Sequence, residues 1–102
     1  MQDPTPIFRA LADPTRRQIL KALRDSDLRA GEIVDMFTIS APSVSRHLSI
    51  LKAAQMISER RDGNSIIYRL NQEKVSLCLS DFISSVCPAE KGIEQQRRRK
   101  KS

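Results

Sequence analysis

Between Ser40 and Leu51 the chain reads SAPSVSRHLSIL, and its apolar residues Val44, Leu48 and Leu51 recur at i, i+4 and i+7. At about 100° per residue these three share one helical face, which predicts a short amphipathic helix with that face buried. Ser43, Ser45, Arg46 and Ser49 then point elsewhere. Upstream, LRAGEIVDMFT at Leu28 to Thr38 carries Ile33, Val34 and Phe37 at helical spacing, and only Ile39 and Ser40 separate the two segments. Ser40 offers a side-chain oxygen to cap the second helix, and Pro42 falls in its first turn, where no internal hydrogen bond is lost. Two short helices with a tight turn between them form a helix-turn-helix pattern.

The period then changes. MISERR at Met56 to Arg61 and SIIYRL at Ser65 to Leu70 flank Asp62, Gly63 and Asn64, and an Asp-Gly pair in a loop is a strong hairpin signal because it tolerates positive φ. The pattern predicts a two-stranded wing with Ile57, Ile67 and Leu70 turned inward and Arg60, Arg61 and Asn64 near its tip. Three further helices complete the reading. Thr5 to Ala12 carries Ile7, Phe8 and Leu11 on one side, and Asp13 and Pro14 then end it and start the next as cap and first-turn residue. Thr15 to Arg24 presents Ile19, Leu20 and Leu23 to a core, leaving Arg16, Arg17, Lys21 and Arg24 outside, with Arg16 or Arg17 the better candidate for a packing or salt-bridge role. The last helix, Gln72 to Cys87, has Asn71 as its cap, stops at Pro88, and bears a broad stripe of Val75, Leu79, Phe82, Ile83 and Val86. The expected fold is mainly α with a β-hairpin wing, a winged helix-turn-helix of five helices and two strands.

The polar side of the 40–51 helix has the chemistry to read DNA. Hydroxyl, guanidinium and imidazole groups hydrogen-bond base edges or phosphates in a major groove, which makes Ser40, Pro42, Ser43, Ser45, Arg46, His47 and Ser49 the candidate contact set. Arg60, Arg61 and Asn64 of the wing extend it across the backbone. His47 is the ambiguous member, since it lies about 60° from Val44 and serves packing as readily as DNA.

Charge adds a tail to this picture. The net charge of +6 arises from 18 basic and 12 acidic side chains, and Arg97, Arg98, Arg99, Lys100 and Lys101 supply five of the basic ones. Residues 1–96 therefore hold 13 basic against 12 acidic groups, a balance of +1, so a cationic face in that part requires segregation, with Asp25, Asp27, Asp35 and Asp81 turned away. Residues 1–88 are read as the DNA-binding and dimerisation domain and 89–102 as a basic tail, serving as a nucleic-acid arm or as a solvated block. At 102 residues the chain is one small domain, and such a domain buries only about two-thirds of its unfolded surface, so a partner subunit would add core. No apolar run approaches the roughly 20 residues of a membrane span, and MQDPTPIF lacks a signal pattern, so a soluble, cytoplasmic protein without a membrane partner is expected.

Three segments, LADPTRRQIL at Leu11 to Leu20, ISAPSVSRHLSILKAAQMI at Ile39 to Ile57 and ERRDGNSIIYRL at Glu59 to Leu70, together resemble the ArsR/SmtB winged-helix repressors of bacteria in order and spacing. The short chain is most similar to the SdpR-type autorepressor branch, which has no metal site. The resemblance implies a homodimer built by the first and last helices, through Phe8, Val75, Leu79, Phe82, Ile83 and Val86, and operator DNA as its partner. It also implies where metal ligands would sit: cysteines in the helix before the recognition helix, or Asp and His pairs in the last helix. Here those regions read EIVDMF and EKVSLCLSDFISSVC, without cysteine in the first or histidine in the second. A zinc-type site takes three or four N or S ligands, and one His and two Cys do not supply them, so no metal and no cofactor are expected.

Cys78 and Cys87 lie nine residues apart on one helix, about 180° around it, and do not bridge to each other while that helix is intact. A repressor switched by oxidation of either thiol is one alternative function, and a winged-helix protein-interaction adaptor is another. An enzyme is not supported, because there is no Gly-rich phosphate loop and no nucleophile, base and pocket constellation. The inducer, if there is one, is not written in the sequence.

Overall fold

The computed structural model describes residues 3–87. The basic segment 89–102 expected as a tail lies outside the described residues.

Eight elements follow one another: α1 (Thr5–Leu11), α2 (Pro14–Asp25), β1 (Leu28–Arg29), α3 (Ala30–Asp35), α4 (Ala41–Ala53), β2 (Ile57–Asp62), β3 (Ser65–Leu70) and α5 (Gln72–Val86). The five helices and the hairpin stand as the sequence predicts, with one addition. Leu28 and Arg29 do not begin α3; they pair antiparallel with Tyr68 and Ile67, making a three-stranded sheet in the order β1-β3-β2. Arg29 is still extended, and its amide donates to Glu32 Oε1 at 2.9 Å, so the helix starts one residue later. At its other end α3 stops at Asp35, and Met36 to Ser40 form a longer turn than the two residues expected.

In the hairpin Asp62 pairs with Ser65, leaving Gly63 and Asn64 as a two-residue loop. Gly63 has φ +64°, the positive value that a tight turn wants at its first central position and that glycine adopts without strain. Asp62 is therefore the last strand residue and not part of the loop.

The core gathers the predicted faces. Ile19, Ile33, Val44, Leu51, Met56 and Ile57 are its largest fully buried side chains, with Ile7, Leu23 and Leu48 around them. Ile67 is buried and Leu70 half-buried, as expected, but Tyr68 is buried too. Adjacent strand residues point to opposite faces, so burial of both Ile67 and Tyr68 means that the middle strand β3 is covered on each side.

Two helix junctions are held by side chains. Asp13 caps α2 by accepting the Arg16 amide at 3.1 Å. Arg16 turns back over the end of α1, donating from Nε to the Ala10 carbonyl at 2.8 Å and from Nη2 to the Arg9 carbonyl at 2.9 Å, while Arg17 donates to Leu11 O at 2.6 Å. These are carbonyls of the last turn of the seven-residue α1; that of Arg9 also accepts the Ala12 amide at 3.2 Å. Asn71 is the N-cap residue of α5, as expected, but its side chain makes no cap bond to the helix. Its side-chain amide donates instead to the Gln55 carbonyl at 2.9 Å, and its backbone amide to Met56 O at 2.9 Å. Gln55 has φ +61°, the left-handed residue that turns the chain out of α4 and into β2.

The apolar stripe of α5 divides along its length. Val75, Cys78 and Leu79 are half-buried and pack on the protomer's own core. Anchored by Asn71, the helix starts against the body and then leaves it. Phe82, Ile83 and Val86 are 39%, 50% and 62% exposed, and Phe82 meets Phe8 edge-on with ring centroids 4.8 Å apart.

Candidate nucleic-acid interface

The recognition helix α4 is built from its N-cap. Ser40 Oγ accepts the Ser43 amide at 3.3 Å and donates to Ser43 Oγ at 2.9 Å, and Pro42 sits in the first turn. With Val44, Leu48 and Leu51 buried, the helix is locked in rotation, and Ser45, Arg46 and Ser49 stand exposed on the other side. Ser40 and Pro42 are exposed at its start, while Ser43 is half-buried. Arg46 has no carboxylate within 4.0 Å among the described residues. Its guanidinium is therefore engaged by no acid among those residues. Ile50, one turn further on and 37% exposed, borders this face. The sequence reading assigned it no role, because it lies at the edge of the apolar stripe, where helical period alone does not decide between core and solvent.

His47 leaves the open face. Its Nδ1 is 3.2 Å from Arg16 Nη1 and 3.8 Å from Asp13 Oδ2, and its side chain is only 20% exposed. Arg16 is always a donor, so this contact is a hydrogen bond when the ring is neutral with its hydrogen on Nε2, whereas a protonated ring turns its charge toward Asp13. Partial burial works against ionisation of Asp13, but the Arg16 amide and the charges of His47 and Arg16 outweigh it, and its carboxyl is held below the usual range. The α1–α2 junction is thereby fastened to the recognition helix. Arg16→Ala is expected to leave the Ala10 and Arg9 carbonyls and His47 Nδ1 without this partner, and to cost about 1–3 kcal/mol of stability. Thermal denaturation measures it; a change within about 0.5 kcal/mol would show that solvent replaces Arg16 without loss.

The wing separates two residues that the sequence placed side by side. Arg60 stands opposite Ile67 and Arg61 opposite Ile66, so they project from opposite faces of the sheet. Arg60 Nη1 lies 3.2 Å from Asp27 Oδ2, with Arg69 Nε 3.9 Å from the other oxygen of the same carboxylate. Asp27 is thus not turned away from the cations, as charge segregation had suggested, but set against the wing. On the same side Arg29 pairs with Asp62 at 2.9 Å. Arg61 and Asn64 are exposed, and Arg61 has no such partner among the described residues. On its face of the sheet Lys52, in the last turn of α4, donates to Glu59 Oε1. None of these acid partners was legible in the sequence, where Asp27 and Arg60 are 33 residues apart.

Both cysteines are free thiols, Cys78 half-buried against the core and Cys87 exposed. Among the described residues no three His, Cys, Asp or Glu side chains cluster as metal ligands, and no helix is long and apolar enough to cross a membrane.

A capped helix with a polar outer face, preceded by a short helix and followed by a hairpin, defines a winged helix-turn-helix DNA-binding domain. Residues 13–59 match the family described as bacterial regulatory protein, arsR family. The chain is 52% identical over 65 residues to the transcriptional repressor SdpR of Bacillus subtilis, covering 64% of this chain and 72% of SdpR. It is 39% identical over 92 residues to the HTH-type transcriptional regulator KmtR of Mycobacterium tuberculosis, covering 90% of this chain and 71% of KmtR. Among solved structures, an ArsR-like transcriptional regulator from Rhodococcus sp. RHA1 is similar with a TM-score of 0.71 and 26% identity, over 92% of this chain and 83% of that one. The chain belongs to the ArsR family of DNA-binding transcriptional regulators, which are not enzymes.

Proposed function

We propose that the protein is a homodimeric repressor that binds operator DNA in the bacterial cytoplasm, with its own promoter as the first target to examine. The observation that carries this is the outer face of α4, where Ser45, Arg46 and Ser49 stand exposed on a helix whose rotation three buried residues fix. One such helix enters each major groove, and Ser40, Pro42 and Ser43 at its N-terminus lie against base edges or adjacent phosphates. Arg61 and Asn64 of the wing contact the flanking backbone. Arg60 joins them only by leaving Asp27, and His47 acts through its bond with Arg16 and not as a base reader. The exposed end of α5, with Phe82, Ile83 and Val86, supports a two-fold partner. That symmetry sets half-sites about 34 to 36 Å apart, or a multiple of that distance.

The test is a footprint on the DNA upstream of the protein's own gene, run with and without zinc, cadmium and arsenite. Protection of two symmetric half-sites, unchanged by any of the three, is the expected result, because the chain holds one His and two Cys, and Cys78 packs against the core. Absence of protection anywhere on genomic fragments would leave the adaptor function in its place. Release at about one metal per chain would overturn the metal-independent reading.

A further inference from the structure

Glu59 occupies an unexpected position for a residue of a DNA-binding wing. It projects from the same face of the sheet as Arg61, stands opposite Tyr68 in the β2–β3 register, and accepts a hydrogen bond from Lys52 Nζ in the last turn of the recognition helix. A carboxylate is therefore bonded to a cation of α4 and has a cation of the wing two residues on along its own strand face. Lys52 and Arg61 are both exposed, and together they span the junction between the two elements that the proposed function lays on DNA. An acid there repels the backbone of the duplex. We propose that Lys52 and Arg61 form a clamp for one backbone phosphate, and that Glu59 withholds Lys52 from it as an internal stand-in for that phosphate.

Three observations support an exchangeable contact over a mere brace. The pair is open to water, with side-chain exposures of 52% for Lys52 and 31% for Glu59, and exposed ion pairs contribute little to stability. Lys52 lies one turn from Ser49 and two turns from Ser45, at the margin of the polar face of α4, so a short swing of its flexible stem reaches the DNA side. The charges are mutually tuned: the hydrogen bond from Lys52, opposed by partial burial and assisted by Lys52, Tyr68 and Arg61, holds the Glu59 carboxyl below its usual range, so it remains an anion at neutral pH. A phosphate offers the same charge-assisted bond to Lys52 together with the rest of the DNA surface.

The inference rests on the reading that α4 and the wing lie on DNA, and the experiment separates the two. Affinity for operator and for a scrambled duplex is measured across a salt series for the full chain, Glu59→Gln, Lys52→Gln, the double variant, and Arg46→Ala as a reporter of helix docking. Glu59→Gln is expected to tighten both duplexes about two- to fivefold and to steepen the dependence of log affinity on log salt by about 0.9, the increment for one more neutralised phosphate. In the Lys52→Gln background the same change should gain less than about twofold. An equal gain in both backgrounds would show a bulk charge effect and overturn the clamp. So would no gain from Glu59→Gln while Arg46→Ala weakens operator binding, which would leave Glu59 as a brace. If Arg46→Ala changes neither duplex, docking of α4 itself falls, and the clamp with it.

Discussion

Replacing Arg46 with Ala is expected to lower operator affinity by about 1–3 kcal/mol, roughly five- to 150-fold, while lowering affinity for a scrambled duplex far less. The asymmetry follows from where the side chain is and what surrounds it. Arg46 is exposed on the outer side of α4, one turn from Ser49, with no carboxylate within 4.0 Å among the described residues. Its five donors are therefore available to a guanine edge, and a bidentate contact to O6 and N7 fixes one base position. No described hydrogen bond or ion pair of the fold passes through it, so the variant should keep its unfolding temperature, and a loss of affinity is then a loss of contact. Competition titrations on operator and scrambled DNA decide the matter. Equal loss on both would assign Arg46 to phosphate and leave base reading to the serines.

A second large effect is expected at the end of α5. Ile83→Glu places a carboxylate where, in the proposed dimer, the partner covers an apolar surface, and an uncompensated charge in such a place costs several kcal/mol. The dimer dissociation constant should rise by two decades or more. Ile83 is 50% exposed in the protomer, so the same substitution should scarcely alter the protomer's helicity. Phe82→Ala is less diagnostic, because Phe82 also packs against Phe8 within the chain. Sedimentation of wild type and Ile83→Glu at matched concentration gives the answer. A variant that remains dimeric would move the interface away from this end of the helix.

The helices, the hairpin and the orientation of the recognition helix were legible in the chain because each depends on residues a few positions apart. Val44, Leu48 and Leu51 set the rotation of α4, and Ser40 and Asp13 set the starts of α4 and α2 through amides three residues on. The family likeness was legible for the same reason, since it rests on contiguous segments. Leu28 and Arg29 show where this stops. Within LRAGEIVDMFT their spacing suits a helix, but β3, nearly forty residues later, offers them a ladder, and a two-residue strand carries no periodicity of its own.

The candidate site divides along the same line. Residue types and helical period alone placed Ser45, Arg46 and Ser49 on an open face, because a buried stripe of three leaves only one way for them to point. Which cations are open to DNA was decided by tertiary structure: Arg60 is taken by Asp27, Lys52 by Glu59 and Arg29 by Asp62, while Arg16 and His47 fasten α1, α2 and α4 together. The same holds for α5, whose single stripe is split into a core-facing start and an exposed end by the way Asn71 pins it to Gln55 and Met56. Ion pairs and helix docking depend on distances between elements far apart in sequence, and local periodicity contains no such distances.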